Sequence, residues 1–277
     1  REDFDRIFQT MHAGNQIQIS HALDIPQERV PLVFISAVLI KYIVELMGIR
    51  RIWVPGVTLC DGIAYEYAEK IKMFQGEHDF EEDIIACAVN ISRRYMGSKR
   101  RSDILENFTT VIFDSMKRLH GLGKRERLYL RLAAILHDCG KYISMVNIGE
   151  TSFQIIMATE IIGLSHQERE IVANIVRFNH SKFVYEGQWT GTGGQSRELL
   201  LTVAKLTAIL RLANSLDRSH KQKLNGLKAV IKENKLILTV DAREDMALEK
   251  GFFRANADFF KEVFSVEPVL KQRKIYS

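Results

Sequence analysis

The sequence predicts a mainly α protein with a small α/β element at its C-terminal end. Three observations carry this. Apolar residues recur at helical spacing through most of the chain. Only four prolines interrupt 277 residues, so long helices are permitted. The clearest hairpin signal, alternating apolar and polar residues across Glu233-Asn234, lies late in the chain.

Taken in order, Phe4, Ile7, Phe8 and Met11 form a helical stripe within residues 4–20. Pro26 stands near the first turn of a second helix, whose buried face is expected to be Val33, Ile35, Val38, Leu39, Tyr42, Ile43 and Leu46. Gly48 ends it. Arg51-Ile52-Trp53-Val54 before Pro55-Gly56 reads as a strand and turn. A further amphipathic helix runs through Ala64, Tyr67, Ala68 and Ile71. This is too little sheet for an independent α/β domain, so residues 1–75 read as the end of one. Gln75-Gly76-Glu77 is the boundary expected from the sequence.

Helices are then expected at 80–95, 102–120, 124–143, 151–163, 165–179 and 195–217. The glycine-rich loop Gly187–Gly194 is either a connector or a lid. The strands Leu227–Ile231 and Leu236–Val240 make the hairpin. A helix at 246–263 and a strand at Val266–Leu270 close the chain. The expected domains are therefore 1–75, 76–222 and 223–277.

Hydrophobic residues at 46% and charged residues at 26% are ordinary for a soluble globular protein. The net charge of +5 and pI near 9.0 lean toward anionic partners such as phosphate, polyphosphate, nucleotide or RNA. A merely basic surface explains the same charge. Cys60, Cys87 and Cys139 form neither a zinc motif nor a disulfide framework, which suits a reducing cytoplasm. No signal-peptide pattern opens the chain. The apolar run Val30–Met47 is broken by Pro31, Lys41 and Glu45, so it reads as a buried helix and not a membrane span.

Chemistry concentrates first at His137-Asp138. The pair ends the apolar helix Leu132–Leu136 and precedes Gly140-Lys141. Burying two adjacent polar groups unpaired is costly, so they need a reason to be there. Together they can ligate a divalent metal or hold a phosphate-bound one. The plain alternative is a structural pair, with His137 donating to a backbone carbonyl.

Asp217 follows another apolar helix and has Arg211, Arg218 and Lys221 around it. It could complete a metal site while the arginines grip phosphate oxygens. An ordinary salt-bridged helix end is the more frequent meaning of such mixed charge. His180, at a helix end, reads first as a surface histidine favoured by the helix dipole and second as a group facing His137. His166 lies in a helix first turn with Ser165 as its cap, and capping explains that segment without an active role. The basic clusters at 98–101 and 124–127 could bind polyanions, with a solvated surface as the default.

These segments resemble a known family. Ala133–Ile143, Gly163–His166 and Leu210–His220 look like the C-terminal half of exopolyphosphatase/guanosine-pentaphosphatase (Ppx/GppA) proteins. Glu28–Pro31, Met47–Ile49, Ile52–Val54 and Gly56–Ile63 look like the end of that family's actin-like (ribonuclease H-like) phosphatase region. The resemblance implies a helical HD-type domain over 76–222 and a small α/β subdomain after it. It also implies a hydrolase that removes terminal phosphate from polyphosphate or guanosine pentaphosphate. In that family the phosphatase site, with glycine-rich phosphate loops, lies upstream of the part matched here. No such run precedes residue 20, so the resemblance casts this chain as a C-terminal piece.

HD hydrolases also supply an earlier histidine, and that position falls at about Arg101, which has no lone pair to ligate a metal. The segment Asn147–Ser152, where some relatives carry histidines, has none. His137, Asp138 and Asp217 remain as an incomplete ligand set for Mg or Mn. Arg101, Lys141, Arg177, His180, Arg211 and Arg218 are the candidate phosphate-binding residues. The expected partners are polyphosphate or guanosine pentaphosphate and a second copy of the chain in a homodimer, with a cytoplasmic location and no membrane. Three functions stay open: part of a polyphosphate/guanosine-pentaphosphate hydrolase, an autonomous metal-dependent phosphohydrolase, or a catalytically silent regulatory or dimerisation module.

Overall fold

A computed structural model of the chain describes residues 1–54, 56–71, 73, 79–185, 197–217, 224–242 and 245–274. The chain divides into two compact units, Arg1–Gly76 and Glu77–Ser277. Residues 75–77, the loop Gly187–Gly194 and Arg218 lie outside the described residues.

The first unit contains α1 (Glu2–Ala13), α2 (Gln16–Leu23), α3 (Val30–Leu46) and α4 (Leu59–Lys70). The stripe of residues 4–20 is split in two. Asn15 accepts from the Gln18 backbone N–H, and the Gln18 side chain accepts from the Asn15 N–H, which starts a new helix. Pro26 heads a short 3-10 turn (Gln27–Arg29), and it is Pro31 that sits in the first turn of α3. Gly48, at φ +61°, follows the end of α3 as expected.

Met11, Ile19, Val30 and Ala37 form this unit's core, with Phe8, Val33 and Phe34 packed on it. The buried face expected for α3 is corrected: Ile35, Val38, Leu39, Tyr42, Ile43 and Leu46 are exposed. The helix is apolar on nearly all sides, and α1 and α2 cover only one of them. The strand expected at Arg51–Val54 does not form either. A strand needs a neighbouring edge, and among the described residues of this unit there is no other strand; Trp53 and Val54 are left in the open.

The second unit contains α5 (Phe80–Arg94), α6 (Lys99–Ser115), α7 (Lys117–His120), α8 (Lys124–Leu136), α9 (Ile148–Ala158), α10 (His166–His180), α11 (Arg197–Ser215) and α12 (Ala247–Phe264). Its strands are β1 (Leu224–Lys232), β2 (Lys235–Ala242) and β3 (Glu267–Lys274). α8 is the central helix: Leu130, Leu132, Ala133, Ala134 and Leu136 are almost wholly buried. The helix expected at 124–143 stops at Leu136, and Cys139–Tyr142 follow as a 3-10 turn. The backbone turns there because Gly140 packs directly against the start of α9; a Cβ on it would lie 2.5 Å from the Ile148 carbonyl oxygen.

The sheet order is β1-β2-β3, with β1 and β2 antiparallel and β2 and β3 parallel. The hairpin forms where expected. Glu233 and Asn234 have φ of +48° and +58°, the two left-handed positions of a type I′ turn, and Lys232 faces Lys235. The parallel pair requires a crossover, which α12 supplies between β2 and β3. Leu236, Leu238, Val240 and Phe260 belong to the same core as Ile112, Leu132 and Leu206. The sheet and the helices of this unit are thus held together by one apolar interior. Among the described residues no helix is long and apolar enough to cross a membrane.

Candidate functional site

The site grows from the end of α8. Because the last turn of that helix is fully buried, His137 arrives inside the protein, 2% exposed. Its Nδ1 lies 2.8 Å from the Ala134 carbonyl oxygen, so Nδ1–H donates one turn back. This is the backbone-anchored arrangement that the sequence offered as the plain alternative. The other nitrogen, Nε2, is buried 3.4 Å from Asp138 Oδ2.

Arg101 comes from the first turns of α6 and is itself 7% exposed. Nη1 donates to Asp138 Oδ2 in a short ion pair, and Nη2 donates to Asn214 Oδ1 on α11 at 3.1 Å. One guanidinium therefore ties together α6, the turn after α8 and α11. Such a planar fork suits two acceptors at a fixed angle, which an ammonium would not match.

His180 ends α10. Its Nε2 is 2.7 Å from the His137 carbonyl oxygen and 3.7 Å from Asp138 Oδ1. The surface reading of His180 is corrected: α10 packs against α8 and α9, which turns the ring inward, and burial lowers its pKa. Burial alone would raise the pKa of Asp138. His137, Arg101 and His180 together outweigh burial and hold the carboxyl well below its usual range. Asp138 is thus an anion enclosed by donors.

The remaining candidates are dispersed around this centre. Lys141 is exposed and lines a cavity of about 350 Å³ with Tyr95, Met96, Arg101, Asp138 and Tyr142. Arg177 pairs with Glu150 at 2.8 Å and lies 5.2 Å from the Phe153 ring, on a separate cavity beside Gly149 and Lys182. Arg211 donates from Nε to the Phe178 carbonyl at 2.7 Å, donates from Nη2 to the Ser181 carbonyl, and stacks 4.5 Å from the Phe259 ring centroid. It lines a third cavity together with His180 and Asn214. Asp217 is buried two residues past α11 and is not among the residues lining these three cavities. Ser165 and Glu168 form the expected cap of α10 beside His166.

Asn214 is the residue that sequence reasoning missed. It stands one turn before Asp217 on α11, so the same helix that suggested Asp217 delivers an amide instead. Its signal was a lone carboxamide directly after the apolar Leu212-Ala213 pair.

A divalent cation does not fit this donor set. The Asp138 oxygen nearest His137 Nε2 is already held by a fixed positive charge from Arg101. Among the described residues, no three His, Cys, Asp or Glu side chains converge as metal ligands.

These features define a class: a helical domain in which a His-Asp pair ends a buried helix and an arginine from the neighbouring helix closes over it. The family model described as Ppx/GppA phosphatase, domain III, matches residues 86–256, from α5 into α12. The chain belongs to the Ppx/GppA phosphatase family. No curated protein matches it.

Proposed function

We propose that the second unit serves a Ppx/GppA-type phosphatase as a non-hydrolytic, phosphate-binding HD-type domain. The observation that carries this reading is the Arg101 guanidinium on Asp138. In a metal-dependent phosphohydrolase that carboxylate would be a ligand, and the metal would polarise phosphate and activate water. Here a guanidinium has taken the cation's place. It can neutralise charge, but it cannot lower the pKa of a bound water as a metal does. Beside it, Lys141 has no carboxylate partner among the described residues and lines the open cavity. An ammonium there is suited to the non-bridging oxygens of polyphosphate or of guanosine pentaphosphate.

On the same reading, residues 1–75 are the tail of the actin-like phosphatase domain. α3 supports it: a helix apolar on nearly all sides belongs in the interior of a larger body.

The test is isothermal titration of the chain with tripolyphosphate, beside a phosphate-release assay with Mg²⁺ and Mn²⁺. Saturable binding without phosphate release is expected, with Lys141→Glu weakening binding at least tenfold. Metal-dependent release of phosphate that disappears in Asp138→Asn would overturn the proposal in favour of an autonomous hydrolase.

A further inference from the structure

The mouth of the cavity beside Lys141 holds a backbone feature that the fold does not require. α5 ends in a Schellman motif: the Gly97 N–H donates to the Ser92 carbonyl at 2.8 Å, and the Met96 N–H donates to the Arg93 carbonyl at 3.1 Å. The left-handed position of such a motif ordinarily belongs to glycine. Here Met96 occupies it, at φ +57°. The next residue, Gly97, is explained by space, because a Cβ on it would lie 2.2 Å from Ser92 Oγ. Met96 has no such explanation. Its side chain is left 78% exposed, so little packing offsets the strained backbone. Backbone strain that serves no internal contact points to a use outside the fold.

Met96 has apolar company. Tyr142, Ile143, Met145 and Val146, between α8 and α9, are all exposed. Met96, Tyr142 and Met145 line the same cavity of about 350 Å³, where Tyr142 meets Tyr95 edge-on at 6.3 Å. Apolar residues scattered singly on a surface mean little, but a cluster around a cavity marks a contact surface. Two of these residues are methionines, whose flexible, polarisable side chains adapt to the shape of a partner.

The free charge around this cluster has one sign. Asp138 is the only carboxylate lining the cavity, and Arg101 already holds it. Lys141 lines the cavity from the same turn as Tyr142. Arg93, Arg94, Lys99 and Arg100 flank Met96 in the chain, are exposed, and have no carboxylate partner among the described residues. An apolar centre with a cationic surround is complementary to an apolar side chain set among carboxylates. Nucleic acid fits less well. It needs aromatic faces for its bases, and of the exposed apolar residues here only Tyr142 carries a ring.

We infer that this surface docks a short acidic segment of a partner protein. One apolar or aromatic side chain of that segment enters the cavity between Met96, Tyr142 and Met145. Carboxylates beside it meet Lys141 and the basic residues where α5 ends and α6 begins. The left-handed backbone at position 96 keeps the thioether at the cavity mouth. The inference goes beyond the phosphate-binding reading and does not rest on it, because the anchor is apolar.

The experiment uses the full chain and a library of short random peptides displayed on phage. The library is selected on the unaltered chain and, in parallel, on Met96→Gly. Glycine suits the left-handed position, so this variant keeps the Schellman motif and removes only the side chain. Peptides enriched on the unaltered chain are expected to combine an apolar or aromatic residue with several Asp or Glu. The most enriched peptide, synthesised with a fluorescent label, is expected to bind saturably by fluorescence polarisation. Binding at least tenfold weaker is expected for Met96→Gly and for Tyr142→Ser. The melting temperature of Met96→Gly is expected to equal or exceed that of the parent; a lower one would mean that Met96 serves the fold and would overturn the inference. Enrichment no greater than on Met96→Gly, or enrichment of peptides without carboxylates, overturns it as well. A labelled oligouridylate that binds the parent and is weakened tenfold by Met96→Gly overturns it in favour of single-stranded nucleic acid. The phosphate reading is tested apart, with tripolyphosphate and Lys141→Glu. Tripolyphosphate binding without peptide enrichment leaves that reading standing while this inference fails.

Discussion

Arg101 and Asp138 are 37 positions apart in the chain, yet the guanidinium of one sits against the carboxylate of the other under the protein surface. Neither side chain is at home there alone. Replacing Arg101 with Ala leaves Asp138 ionised, enclosed and short of its principal counter-charge, and it frees Asn214. A buried pair broken on one side costs roughly 3–5 kcal/mol. Urea denaturation of Arg101→Ala is expected to show a loss of that size. The double variant Arg101→Ala/Asp138→Ala is expected to recover part of it, because the stranded charge is gone. An additive double variant would mean that the two residues do not act on each other.

His120 links folding to pH. Its Nε2 lies 3.0 Å from the Phe113 carbonyl oxygen, while Nδ1 accepts the Leu122 N–H at 2.9 Å. Both bonds are satisfied only by the neutral ring with the proton on Nε2. Burial lowers its pKa below the ordinary 6.5, despite the nearby Phe113 carbonyl. The unfolded chain therefore takes up a proton first as pH falls. Stability from this group is present in full above pH 6.5 and is lost as pH drops below it toward the folded value. His180, also lowered by burial, acts in the same direction. Urea midpoints between pH 8 and 5 are expected to fall through this window, and His120→Asn to flatten the fall. A midpoint that rises on acidification contradicts the assignment.

How much of this was legible beforehand depended on the range of the interaction involved. The hairpin at Glu233-Asn234 and the cap at Ser165 are local, so spacing was enough to place them. The His-Asp pair was visible because it interrupts an apolar helix. What escaped was set by partners distant in sequence. The inward turn of His180 depends on α10 packing beside α8, and the role of Asn214 depends on the arginine 113 positions earlier. The missing strand at Arg51–Val54 failed for the same reason: its residue types were right, but strand formation is decided by a neighbouring edge.

Gly140 sets the position of the turn that carries Asp138. A Cβ there would stand 2.5 Å from both the Ile148 carbonyl oxygen and the Ser152 backbone nitrogen, and backbone atoms cannot swing aside. Gly140→Ala must push α9 away from the turn. A loss of about 1–3 kcal/mol is expected from such overpacking. Thermal or urea unfolding measures it; a variant as stable as the parent would show that α9 yields freely.

The hairpin offers a change in the opposite direction. Glu233 holds φ +48°, a conformation in which a Cβ-bearing side chain is crowded and which Asn tolerates better. Its neighbour Asn234 already suits the turn and donates to the Ser265 carbonyl at 2.9 Å, so it should be kept. Glu233→Asn is expected to stabilise the chain by about 0.5–1 kcal/mol. A lowered urea midpoint would mean that Glu233 has a contact worth more than its strain.

The guanidinium at Asp138 also marks where a metal ligand can be introduced. Arg101→His removes the fixed charge and supplies a nitrogen lone pair from the same helix position. With His137 Nε2 and the Asp138 carboxylate, this gives three donors of the kind that divalent transition metals accept. Without metal the variant loses the ion pair and is expected to be less stable than the parent. Any ligand that binds only the folded state raises stability in proportion to its concentration over its Kd. Mn²⁺ is therefore expected to raise the melting temperature of Arg101→His in a concentration-dependent way and to leave the unaltered chain unmoved. Metal analysis after dialysis provides the second readout. A parent chain that retains stoichiometric metal, or that is stabilised by Mn²⁺ as strongly as the variant, would mean that Arg101 does not stand where a cation otherwise would.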